Sequence, residues 1–132
     1  MSPLGERRLY RPICEYFSHY GDHFEEVPLG KKRIDLVFRS RNGYLTSVEV
    51  KIEKWRDAFS QALVNQLVSD YSYVALPTEV CQRVDESLFA DNGVGLLSVG
   101  KSARTKICAT RAAFKDRDMF KQVKDYLEVT PK

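Results

Sequence analysis

Two strand-patterned runs folded about Asn42-Gly43 constrain this chain more than any other feature. Ile34, Leu36 and Phe38 alternate with Asp35 and Val37, the period of a half-buried strand. Asn42-Gly43 then gives the strongest short hairpin signal available. In the second run Val48, Val50 and Ile52 share one face, and Ser47, Glu49 and Lys51 share the other. Glu49 and Lys51 are two positions apart, roughly 6.6 Å along a strand, so both head groups can reach one point. The hairpin lays Asp35 beside them. A cross-strand salt bridge on a solvated face would use the same residue types. Charges set among Val, Leu and Ile, with helices on both sides, are costly unless paired or bound to metal. That favours a functional cluster of Asp35, Glu49 and Lys51.

The 132 residues suffice for one domain with a real core. Composition is that of a globular protein, 43% hydrophobic and 30% charged. No apolar run approaches the roughly 20 residues of a membrane-spanning helix, and the first residues lack the apolar stretch of a signal peptide. Cys14, Cys81 and Cys108 are odd in number, far apart and outside any Cys-x-x-Cys pair. They imply reduced thiols in a cytoplasmic protein and support neither a zinc site nor a disulfide framework. His19 and His23 are four apart, but Gly21 between them argues against a shared helical face. Net charge is +3, unevenly spread: nine basic and four acidic residues lie beyond position 100. A basic helical extension from about residue 101 is compatible with a phosphate-rich partner or with a solvated helix.

In chain order, helical spacing from Leu4 to Tyr20 puts Leu9, Ile13 and Phe17 inside, with Glu6 on that side at the first turn and Glu15 toward water. Phe24–Leu29 reads as a first strand. The basic triplet Lys31-Lys32-Arg33, just before Asp35, is a solvated loop or a phosphate contact. A helix over 54–70 carries a core stripe of Phe59, Ala62, Leu63 and Leu67. A neighbouring stripe of Lys54, Ala58, Gln61 and Asn65 should overhang the carboxylates, which makes Gln61 an accessory polar candidate. Tyr71–Leu76 is a strand, and Thr78 caps a helix to Ala90 with Val80, Val84 and Leu88 inside. Val94–Val99 is a strand covered on both faces. Residues 101–106 read as a basic connector, and a last helix over 112–127 packs Phe114, Phe120, Val123 and Leu127. Strands alternating with helices imply parallel pairing in the second half. The expected fold is therefore α/β, a mixed central sheet flanked by helices in one domain over 1–132.

Ile34-Asp35, Glu49-Val50-Lys51, Ala58-x-x-Gln61-Ala62, Tyr73-Val74-Ala75-Leu76-Pro77 and Gly93-Val94-Gly95-Leu96-Leu97 together resemble the PD-(D/E)xK nuclease superfamily. That group includes archaeal Holliday-junction resolvases and RecB-type nucleases. The resemblance covers roughly residues 4–100, with Ile34 where the family name puts proline and Asn65 where RecB-type members often place tyrosine. It implies a restriction-endonuclease-like αβββαβ core and Mg²⁺-dependent phosphodiester hydrolysis. Asp35 and Glu49 match its metal ligands, Glu6 its helix-one glutamate, Lys51 its catalytic lysine and Gln61 the glutamine of the following helix.

The chemistry agrees. Mg²⁺ takes one or two carboxylates plus phosphate oxygens and waters, so Asp35 and Glu49, with the Val50 carbonyl as a further ligand, suit it, and Mn²⁺ can substitute. Lys51 can orient or deprotonate the attacking water or stabilise developing charge. The expected function is a metal-dependent endonuclease of DNA repair, recombination or restriction. Lys31, Lys32, Arg33 and Lys54 are candidate phosphate contacts, and a homodimer is compatible with the chain's size. The alternatives are a non-catalytic nucleic-acid-binding module and a subunit completed by a partner on the same fold.

Overall fold

A computed structural model describes residues 3–131. Met1, Ser2 and Lys132, at the two ends of the expected domain, lie outside them. Two short helices, α1 (Pro3–Arg7) and α2 (Tyr10–Tyr16), precede a meander of β1 (Gly21–Leu29), β2 (Lys32–Ser40) and β3 (Leu45–Val50). Helix α3 (Trp55–Asn65) leads to β4 (Tyr71–Pro77), then α4 (Thr78–Cys81), α5 (Glu86–Asp91), β5 (Gly95–Val99), β6 (Ala103–Ile107) and α6 (Arg117–Val129). The six strands form one sheet in sequence order. β3–β4 and β4–β5 are parallel and the other pairs antiparallel. The mixed α/β fold and the expected succession of helix, three-strand meander, helix and strand are both present. Among the described residues no helix is long and apolar enough to cross a membrane.

The sheet separates three apolar clusters. Leu9, Ile13 and Phe17 of the first helical segment pack on Leu36, Phe38, Val48 and Val50. On the other side Ala58, Phe59 and Ala62 of α3 meet Val74, Leu76, Leu96 and Phe89. Val123 and Leu127 of α6 close over Phe24, Val27, Ile34 and Val37. Two hairpin turns set the register. Gly30-Lys31 turns β1 into β2 with Gly30 at φ 61°, and residues 41–44 join β2 to β3 with Gly43 at φ 86°. Both are backbone conformations that glycine adopts without steric penalty.

Several expected boundaries move, each for a local reason. The helix expected over 4–20 breaks at Arg8-Leu9, because Pro12 offers no N–H to the Arg8 carbonyl and its ring crowds that group. Glu15 does face water. The helix expected over 78–90 is two: the Asp85 carboxylate accepts from the amides of Ser87 (3.1 Å) and Leu88 (3.4 Å) and starts a new helix. Phe89 then takes the fully buried place expected of Leu88. Thr78 is the first residue of α4 and makes no side-chain cap. The supposed basic connector is an edge strand, β6, whose Arg104 and Lys106 alternate outward from Ala103, Thr105 and Ile107. The last helix begins only at Arg117, after the Asp116 side chain caps the Met119 amide at 3.0 Å. Phe114 therefore lies before it and is 69% exposed instead of packed.

Asp70 ties the C-terminal segment to the sheet. Its buried carboxylate accepts from the Leu45 amide (2.8 Å) and pairs with Lys115 Nζ (2.8 Å). Its carbonyl accepts from Ala112 (2.8 Å). Part of the basic excess beyond residue 100 is thus neutralised internally, with Lys106 likewise on Glu86 at 3.3 Å. Asp70→Ala strands a buried amide and an ammonium, and should lower stability in urea denaturation by about 2–3 kcal/mol. A loss below about 0.5 kcal/mol would show that the clamp contributes little.

Candidate metal and phosphoryl site

The backbone ladder between β2 and β3 runs from Arg39–Leu45 to Leu36–Val48. At the next level the strands part, and side chains replace the ladder. The Asp35 amide donates to Glu49 Oε2 (3.4 Å), and the Val50 amide donates to Asp35 Oδ2 (2.8 Å). Strand parity places Val48 and Val50 toward α2 and turns Ser47 and Glu49 to the α3 side. Glu49 is only 5% exposed there. Asn65 of α3, itself fully buried, donates to Glu49 Oε2 at 3.1 Å.

A cleft of about 710 Å³ opens over this point, lined among others by Lys32, Arg33, Asp35, Glu49, Lys51 and Gln61. Lys51 follows the end of β3; its amide donates to the Ala75 carbonyl at 3.2 Å, and its Nζ lies 3.6 Å from Glu6 Oε2. Asp35, Glu49 and Lys51 therefore line one cleft, though not by strict alternation: Ile34 packs with Val37 and not with Leu36 and Phe38, and Lys51 lies past the end of β3, where it pairs with Glu6. Gln61 lines the cleft but acts at one remove: it donates to Asn65 Oδ1 (3.0 Å), which leaves the Asn65 amide to hold Glu49. The group of Val50 that meets Asp35 is its amide. Of the four basic candidates, Lys32 and Arg33 face the cleft. Lys31 sits exposed at the hairpin tip, and Lys54 lines an adjoining concavity with Arg56 and Arg83 that meets the cleft at Asp57. Neither lines the cleft itself: Lys31 is in the turn between the lining residues Gly30 and Lys32, and Lys54 precedes the first turn of α3.

Glu26 and Tyr10 complete the surroundings, and sequence patterning does not single out either. Glu26 stands opposite Asp35 in the β1–β2 register and has φ 55°, the one positive φ of a non-glycine among the described residues. This kink lets Phe24 and Val27, three apart, enter the same apolar cluster. Strict alternation would have sent the Glu26 carboxylate there. Instead Glu26 Oε2 accepts from the Tyr10 hydroxyl at 2.7 Å. A left-handed backbone at a glutamate is strain of the order of 1 kcal/mol or more, a signal no single-sequence pattern carries.

Burial and crowding of like charge govern protonation. Burial first, and the Asp35 charge second, push Glu49 up to about 8 against the pull of the Asn65 and Asp35 amides. Burial, then the charges of Glu26 and Glu6, push Asp35 up to about 6, opposed by the Val50 amide. Burial and the Asp35 charge also raise Tyr10 far above the usual phenol range. At neutral pH the two carboxyls consequently titrate as a pair that shares a proton, and Tyr10 remains a donor.

No family model matches the chain, and no curated protein is significantly similar to it. Among solved structures it is similar to the SPO1766 protein of unknown function from Silicibacter pomeroyi. The two share 17% sequence identity with a TM-score of 0.70, over 95% of this chain and 83% of that one. The likeness is one of fold.

The raised carboxyls bind protons more tightly in the folded chain than in the unfolded one, so stability is greatest below the unfolded pKa values and falls as pH rises through the folded ones. In metal-free protein, unfolding free energy should drop by roughly 2–4 kcal/mol between about pH 5 and pH 8.5. Glu49→Gln should flatten that slope and be the more stable form at pH 8.5. Denaturant titrations across the range check this; a wild-type profile as flat as that of the variant contradicts it.

Proposed function

We propose that this cleft hydrolyses phosphodiester bonds in nucleic acid, DNA foremost, with a divalent cation held by Asp35 and Glu49. The observation that carries the proposal is a buried glutamate beside a half-buried aspartate, the two held by amides of the parted strands at the mouth of a basic-rimmed cleft. Two oxygen donors so placed fit a hard cation, since replacing the proton with Mg²⁺ or Mn²⁺ lets both ionise without mutual repulsion. The resemblance of the motif residues to PD-(D/E)xK nucleases supports the same chemistry. When bound, the ion would polarise a phosphoryl oxygen and acidify a water.

The chain's own residues do the rest. Lys32 and Arg33 at the rim draw the phosphate backbone in. Lys51 Nζ orients the attacking water and offsets charge growing on the phosphate. Glu6, paired with Lys51, keeps the ammonium over the cleft instead of in solvent. The Gln61–Asn65 chain fixes Glu49 Oε2 so that its other oxygen is directed by packing.

Purified protein should cleave plasmid, single-stranded or branched DNA with Mg²⁺ or Mn²⁺ and lose that activity with a chelator. Asp35→Ala and Lys51→Ala should each reduce the rate by at least about 100-fold. Wild-type rates in both variants would remove the assignment. Salt-sensitive DNA binding without cleavage under any divalent ion would replace it with a binding module, and activity appearing only with a partner would make the chain one subunit of the enzyme.

A further inference from the structure

On the face of β1 covered by α2, and outside the lining of the cleft, three chemically different ligands meet. Cys14 comes from the middle of α2, and His23 and Glu25 are alternate residues of β1, so they point the same way. One ligand atom from each, a sulfur, an imidazole nitrogen and a carboxylate oxygen, lies within 4.8 Å of the others. His23 Nε2 and Glu25 Oε2 are 3.9 Å apart. Arg7 lies near the other carboxylate oxygen, Oε1, at 3.7 Å, which leaves Oε2 turned to the histidine. Around a tetrahedral zinc ion with bonds of about 2.0–2.3 Å, ligand atoms sit roughly 3.3–3.8 Å from one another. The His–Glu edge is nearly at that value, and rotamer adjustment of Cys14 and its partners supplies the remainder.

We propose that Cys14, His23 and Glu25 form a binding site for Zn²⁺. Thiolate, imidazole and carboxylate together make a borderline-soft donor set, unlike the all-oxygen set of Asp35 and Glu49, and they select zinc over magnesium. Three protein ligands leave a fourth position free, and the shallow concavity beside Cys14 and His23, floored by Phe17, Ser18 and Gly21, has room for a water there. The ion would join α2 to edge strand β1, which carries Glu26 as well, and so pin Tyr10 in place. The histidine spacing in the sequence pairs His23 with His19, but His19 packs on Tyr20. The actual partners come from a helix nine residues upstream and from the next outward position of the strand, a pattern indistinguishable in sequence from an ordinary amphipathic strand.

The test uses full-length protein stripped with chelator and titrated with Co²⁺. We expect a thiolate-to-cobalt charge-transfer band with intense tetrahedral visible bands, bleached by Zn²⁺. Cys14→Ser should abolish the charge-transfer band. His23→Gln, at an exposed position that leaves the core intact, should weaken affinity at least 10-fold. Cys108→Ser and Asp35→Asn should leave the spectrum unchanged, which separates this site from the cleft. Zn²⁺ should also raise the unfolding temperature of wild type and not of His23→Gln. A missing charge-transfer band at submillimolar Co²⁺, or one that survives Cys14→Ser, overturns the proposal.

Discussion

The structure turns on a carboxylate buried where two strands separate. Glu49 sits on β3 at 5% exposure, past the last backbone bridge to β2, and shares its position with Asp35. A buried unpaired charge is expensive enough to be avoided by protonation. Here two amides of the parted strands and the Asn65 amide offset part of the penalty, and a proton shared between the carboxyls offsets more. The ladder is given up at this level so that backbone donors can serve side-chain oxygens.

The neighbouring irregularities follow from the same place. The kink at Glu26 keeps a third carboxylate out of the apolar layer beneath α6 and gives it to Tyr10. The break between α1 and α2, imposed by Pro12, lets Glu6 approach Lys51 while Tyr10 approaches Glu26. Helix α3 contributes Asn65 at full burial and Gln61 at the cleft wall, one turn apart. Each device carries a polar group to one level of the sheet.

The central hairpin was the most legible part of the chain, because period-two alternation and a glycine turn are both local signals. Glu49 follows from it by parity, whereas Asp35 sits where alternation breaks between Ile34 and Leu36 and Lys51 lies beyond the strand end. Parallel pairing of β3, β4 and β5 also follows, from strands that alternate with helices. What the sequence hid has physical causes. Asp85 and Asp116 cap helices from within stretches that otherwise read as continuous, so helix starts shifted. Ala103–Ile107 alternates as a strand should, but its charges dominated the pattern. Lys54 and Gln61 share a helical stripe on paper, yet only Gln61 lines the cleft, because Lys54 stands at the non-helical N-cap before α3 begins. Asn65 lies on the stripe that helical period turns over the carboxylates, whereas Glu26 and Tyr10 matter through a contact between residues 16 apart in sequence, which composition and period do not encode.

The account rests on the Asp35–Glu49 pair exchanging its shared proton for a divalent ion. Calorimetric titration of Mn²⁺ at pH 7, in two buffers of different ionisation enthalpy, measures this directly through the number of protons released. The account predicts release of about one proton per ion in wild type, with Glu49→Gln releasing none and binding at least about 10-fold more weakly. Heats of binding that do not depend on the buffer, or an affinity untouched by Glu49→Gln, would contradict it.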